Sequence, residues 1–186
     1  MARKQSITKE MIQKAALDLA HEEGLEAVTA RRVAACANCS TQPIFRAYEN
    51  MEDLQADVIK MAGEFFADYY EKSPKDSPTP FVDLGIAYIN FAREHENLFR
   101  ILFVSRYKRQ VSTYEFINGS DKMYVLKELK RVEGVTPQRA GEIFSLFWTF
   151  VNGLAAMSLN GDLDMNEDEV RASLAQAFEA LRSYSV

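Results

Sequence analysis

Within its first fifty residues the chain opens three helices with one device, and few folds accept that arrangement. Thr8, Thr29 and Ser40 are residue types that cap a helix by accepting a backbone N–H. Each is preceded by an apolar residue and followed, four positions on, by another: Ile7 and Ile12, Val28 and Val33, Cys39 and Ile44. This is the spacing of a hydrophobic staple, which fixes the angle at which the chain enters a helix. The segment reads as three short helices joined by tight turns, with Ile12, Ala15, Ala16 and Leu19 as the apolar face of the first and Gly24 at its end.

The same grammar continues. Asn50 can cap a fourth helix through Leu54, Val58, Met61 and Phe65 to about Tyr70, broken by the loop Ser73 to Pro80. A fifth helix is predicted over Pro80–Glu94, a sixth over Glu96–Ser105 and a seventh over Ser120–Arg131, with Arg106–Gly119 unassigned. Thr136-Pro137 opens a long apolar eighth helix to about Leu159. Asn166 with Glu169 forms a capping box for the last, stapled by Met165 and Val170. With 47% hydrophobic residues, five prolines and eight glycines in 186 residues, the fold class is all-α. No apolar run approaches the roughly 18 residues of a membrane span, and with two cysteines and no signal core the expectation is a cytoplasmic protein without a membrane partner.

The pair of helices after Gly24 carries the function. Where two short helices cross closely, the first needs a small residue, the turn a residue that tolerates left-handed geometry, and the second an apolar anchor. Ala34, Asn38 and Ile44 supply these at helix-turn-helix spacing. Net charge is −5, but residues 1–48 hold seven Lys/Arg against five Asp/Glu, while the rest holds 15 against 22. A small basic module on an acidic body is a weak sign of nucleic acid.

On these residues the chain resembles the tetracycline-repressor (TetR) family. Val28 to Ala34 is similar to the family's second helix, Ser40 to Tyr48 to its recognition helix, and Asn50 to Leu54 to the start of its fourth, so the match spans about residues 7–56. The resemblance implies a nine-helix Ω-like homodimer whose last two helices pair in a four-helix interface. It further implies that Arg31, Ser40, Thr41, Gln42, Pro43, Phe45, Arg46 and Tyr48 face double-stranded DNA at a palindromic operator. In the first turn, Gln42 can pair with adenine, the Thr41 methyl can pack on thymine and Pro43 can offer apolar contact. Arg31, Arg46, Lys4 and backbone amides are phosphate candidates, with a solvated charge as the alternative; Phe45 and Tyr48 are alternatively core. The sequence departs from the family at Asn38 for a turn glycine, Phe45 for tyrosine and Met51 for lysine, the last two removing phosphate contacts.

Cys36 and Cys39 have CxxC spacing without a second half, so small apolar packing is favoured over redox or metal chemistry. His21 reads as a solvated residue that favours the helix dipole. No catalytic constellation, metal site or cofactor motif is present. Nineteen of the 21 aromatics follow residue 48. Core filling accounts for most; Phe65, Tyr88, Phe103, Tyr124, Trp148, Thr149 and Asn152 are the candidates to line a small-molecule effector site. Ser145, Thr149 and Asn152 recur at i, i+4, i+7, where bonding to the preceding helical turn is the competing account. Trp148 to Gly153 also resembles a tryptophan/histidine/glycine pattern of some family sensor domains, with Asn152 for histidine. Gly153, Ala155 and Ala156 would allow the close helix approach of a dimer seam. The expected organisation is a DNA-binding domain over 1–50 and a ligand-sensing and dimerisation domain over 51–186. The expected function is a repressor relieved by a largely apolar ligand; the alternative is a helical scaffold of this architecture that has lost DNA affinity.

Overall fold

The structure, a computed structural model, describes residues 7–77, 79–104 and 137–183. Among these residues the chain forms eight α-helices: α1 Lys9–Glu23, α2 Ala30–Cys36, α3 Gln42–Ala47, α4 Met51–Lys72, α5 Pro80–Glu94, α6 Glu96–Phe99, α7 Pro137–Leu159 and α8 Glu167–Ser183. Tyr124, Lys4, the expected helix Ser120–Arg131 and the cap Thr136 lie outside the described residues.

Two compact units divide the chain, one built from residues up to Asp68 plus a segment from His95, the other from Tyr69–Glu94 and the C-terminal helices. In the first unit α1 packs against α2, α3, α6 and the turn Leu25–Ala27. Thr8 caps α1 by accepting the Met11 N–H at 3.3 Å. Gly24 ends it at φ +89°, a conformation that disfavours any side chain. Thr29 caps α2 through the Arg32 N–H, and Asn50 caps α4 through the Asp53 N–H at 2.9 Å. The expected helix Glu96–Ser105 is one α-turn followed by a π-turn over Arg100–Val104, with Leu98, Phe99, Ile101 and Leu102 buried. The boundary expected at residue 50 falls inside this unit, because Leu54, Val58 and Leu98 are buried in it.

In the second unit α5 is buried on nearly every side, from Phe81 to Ile89, by packing on α7 and α8. Gly85 permits the closest approach: a Cβ there would lie 3.1 Å from Leu174 Cδ1 and 3.2 Å from Val151 Cγ2. The buried Asp83 accepts the Ser77 N–H at 3.0 Å and faces Arg171 at 3.6 Å, tying the loop before α5 to α8. The capping box of α8 forms reciprocally, Asn166 with Glu169. The stretch Gly141–Leu159 is long and apolar enough, by length and composition, to cross a membrane. One side of it (Ile143, Phe144, Phe147, Val151 and Ala155) is core, and the other exposes Leu146, Phe150 and Met157. Gly153 and Ala156 lie on that exposed side, whereas Ala155 is fully buried and takes no part in it.

Candidate functional site

The turn between α2 and α3 has the geometry its residues require. Ala34 and Ile44 are buried, at 4% and 0% exposure, where the two helices approach. Asn38 adopts φ +50°. Its N–H reaches the Ala35 carbonyl at 3.1 Å, and the Cys39 N–H reaches that of Ala34 at 2.9 Å. These paired bonds form a Schellman motif, which closes α2 and redirects the chain. Ser40 does not cap α3: the helix starts at Gln42, its boundary residue Thr41 already has helical angles, and no side chain caps it. A serine at position 40 would reach for the N–H three residues on, and Pro43 has none.

With Ile44 turned inward, α3 exposes Gln42, Phe45 and Arg46, and Ser40 and Thr41 before it are exposed as well. Phe45 is 56% exposed, much for an aromatic ring. Pro43 is half-buried. A groove of ≈780 Å³ runs beside them, lined among others by Lys9, Asn38, Ser40, Gln42 and Arg46. Arg31 on α2 is exposed, while its neighbour Arg32 is engaged by Glu23.

Tyr48 corrects an expectation. It is only 6% exposed, and its hydroxyl donates to Asp57 Oδ2 at 2.8 Å, so it is committed to the protein interior and not to phosphate. The same oxygen accepts Gln13 Nε2 at 2.9 Å and faces Lys9 Nζ at 3.4 Å, and Lys9 lies 4.6 Å above the Tyr48 ring. Burial, then Asp57, pushes the Tyr48 phenol well above its usual range. The Tyr48 bond, with help from Gln13 and Lys9, holds the Asp57 carboxyl below its usual value. One carboxylate thus joins α1, the end of α3 and α4. Nothing in the sequence marks Asp57 beyond its place one turn after Leu54.

Two further expectations change. Cys36 is exposed, so apolar packing does not account for it; Cys39 is half-buried, and both are free thiols. His21 is not simply solvated: its Nε2 lies 2.9 Å from His95 Nδ1, and the Phe65 ring packs on both. Among the described residues no group of three or more His, Cys, Asp or Glu could hold a metal.

The aromatic candidates separate. Phe65 and Phe103 belong to the first unit, Phe103 packing on Phe66 and Phe99. Tyr88, Trp148 and Asn152 come together in the second. The Tyr88 hydroxyl donates to Asn152 Oδ1 at 2.8 Å, and its ring lies edge-on to Trp148 at 4.6 Å. Asn152 Nδ2 donates to the Trp148 carbonyl at 2.8 Å. Thr149 is exposed on another side of α7, its hydroxyl bonded back to the Ser145 carbonyl, so it does not join this cluster. Ser145 bonds likewise to Gly141.

A helix-turn-helix with an exposed second helix, in a chain whose second helical unit has an aromatic interior, is the arrangement of DNA-binding transcription regulators. Residues 81–181 match the family model described as tetracyclin repressor-like, C-terminal domain, and the chain belongs to the TetR family. Its fold is similar to that of a TetR-like transcriptional regulator from Rhodococcus sp. RHA1, at 17% identity over 95% of this chain and 96% of that one, with a TM-score of 0.62. It is also similar to the multidrug binding protein EbrR complexed with imidazole, at 18% identity, 95% and 97% coverage and a TM-score of 0.63. A third similar structure is a variant TetR from Acinetobacter baumannii AYE in complex with minocycline, at 17% identity, 95% and 94% coverage and a TM-score of 0.58. No curated protein matches the chain in sequence.

Proposed function

We propose that this chain is a dimeric repressor that reads a palindromic operator with α3 and releases it when a small, largely apolar ligand binds near Tyr88, Trp148 and Asn152. The observation that carries the DNA half is the exposure of Gln42, Phe45 and Arg46 on a helix anchored by a fully buried Ile44. Gln42 and Thr41 read base edges, Pro43 and Phe45 give apolar contact, and Ser40, Arg31 and Arg46 hold phosphates. The exposed apolar side of α7 supports pairing with a second copy. The minocycline and imidazole of the two fold neighbours support a small-molecule effector. Ligand and DNA then oppose each other by favouring different conformations of one dimer.

Binding of the full-length protein to a duplex from the DNA flanking its own gene, followed as salt is raised, tests this reading. Tight binding that falls steeply with salt is expected, as is release by at least one member of a library of neutral aromatic compounds. Indifference to every duplex would leave the scaffold reading in its place. Unchanged binding across the library would remove the effector half.

A further inference from the structure

The indole of Trp148 carries a donor that none of the described residues receives. The residue is 8% exposed, and its Nε1 is buried without a hydrogen-bond partner among the described residues, although nearly all buried polar groups in folded proteins are paired. The ring is held firmly. Phe144 stacks on it at 5.7 Å with planes 9° apart, and Tyr88 meets it edge-on at 4.6 Å. The polar atoms nearby are engaged with one another: the Tyr88 hydroxyl with Asn152 Oδ1, and Asn152 Nδ2 with the Trp148 carbonyl. The cluster therefore orients the indole without satisfying it. An unmet N–H in such surroundings is destabilising, and an acceptor brought by another molecule would relieve it.

We infer that Trp148 Nε1 is the recognition donor of the effector site and that the effector is a neutral, largely apolar molecule bearing a hydrogen-bond acceptor such as a carbonyl oxygen. This rests on the reading of the aromatic body as an effector site. An indole only donates, so its partner must accept. The rings of Tyr88 and Phe144 favour a flat apolar scaffold around that acceptor. The hydrogen bonds and ring contacts of Trp148 and Asn152 involve neutral groups, and among these described partners a buried carboxylate would find no counter-charge.

Trp148 is the sole tryptophan of the chain, so a single indole N–H resonance reports on the site in the intact protein. Acetophenone and ethylbenzene are suitable probes, close in shape and differing in the ketone oxygen. With wild type, acetophenone should move the indole proton downfield and slow its exchange with water, and ethylbenzene should do neither. Calorimetry should show the ratio of acetophenone to ethylbenzene affinity falling about tenfold in Trp148→Phe, which keeps an aromatic ring and loses the donor. An equal ratio in both proteins, with no downfield movement, overturns the acceptor while leaving an apolar site standing. Failure of acetophenone to bind at millimolar concentration also overturns it, and the effector reading is then decided separately by the release of DNA in the library screen. Should Trp148→Phe not fold, the wild-type resonance decides: downfield movement with the ketone alone supports the inference, and its absence overturns it.

Discussion

Asp57 shows how much one side chain can organise. A single oxygen faces donors from Tyr48, Gln13 and Lys9. Asp57→Ala takes the acceptor from the Tyr48 hydroxyl and should lower stability by roughly 1–3 kcal/mol, measured by urea unfolding. The pH dependence has a definite sign. The folded carboxyl titrates below the unfolded value, near 3.9 for aspartate. The stabilisation is therefore complete above that pH and is lost as pH falls through the lower folded value; the variant should have a flatter acid limb. On the DNA side, Gln42→Ala should weaken specific operator binding by about 1–3 kcal/mol and relax preference at one base per half-site. Arg46→Ala should weaken operator and scrambled duplexes alike and reduce the salt slope by about one. Anisotropy titrations on both duplexes across salt distinguish the two. Asn38 was legible in the sequence because its conformational tolerance is its own property. Core placement of Tyr48 was one of its two readings, but its partner was not legible, because the carboxylate that claims its hydroxyl is nine residues away on another helix.

At the scale of helices, legibility follows the range of the forces involved. The caps at Thr8, Thr29, Asn50 and Asn166 were readable because each bond closes within three residues. Ser40 failed for an equally local reason, the missing N–H of Pro43. The π-turn at Arg100–Val104 could not be read, since the short apolar run Ile101–Val104 carries too little phase to distinguish it from an α-turn. Gly85 was equally silent, because its importance lies in Leu174 and Val151. Replacing it with alanine gains helix propensity of about 1 kcal/mol but presses a methyl group against two fully buried side chains, a penalty of about 1–3 kcal/mol. A net loss of roughly 1 kcal/mol is expected from these two terms, and Gly85→Val should be clearly worse; thermal unfolding of both gives the order.

For the molecule as a whole, the exposed side of α7 sets the expectation. Leu146, Phe150 and Met157 are 55%, 40% and 44% exposed, a patch that soluble chains normally cover. Replacing Phe150 by glutamate should yield a folded monomer by sedimentation, with helical content retained and operator affinity sharply reduced. A variant that still sediments as a dimer would move the interface elsewhere. The sequence told of small residues in this region but not which way each points: Gly153 and Ala156 face outward, whereas Ala155 is core. It also set the head's limit at residue 50. Burial of Leu54, Val58 and Leu98 extends the unit well past it, through contacts that no local pattern announces.

That discontinuous first unit has a consequence for how the protein is made. Its second segment begins at His95, after the whole of α5 has been synthesised. On the ribosome, the helix-turn-helix therefore emerges long before α6, which packs on α1. A nascent chain arrested near residue 77 should yield its head to protease readily, and one arrested far enough beyond Val104 for α6 to clear the exit tunnel should resist. The segment that would touch DNA precedes α5 in the chain, yet its unit is complete only once α6 has followed α5 out.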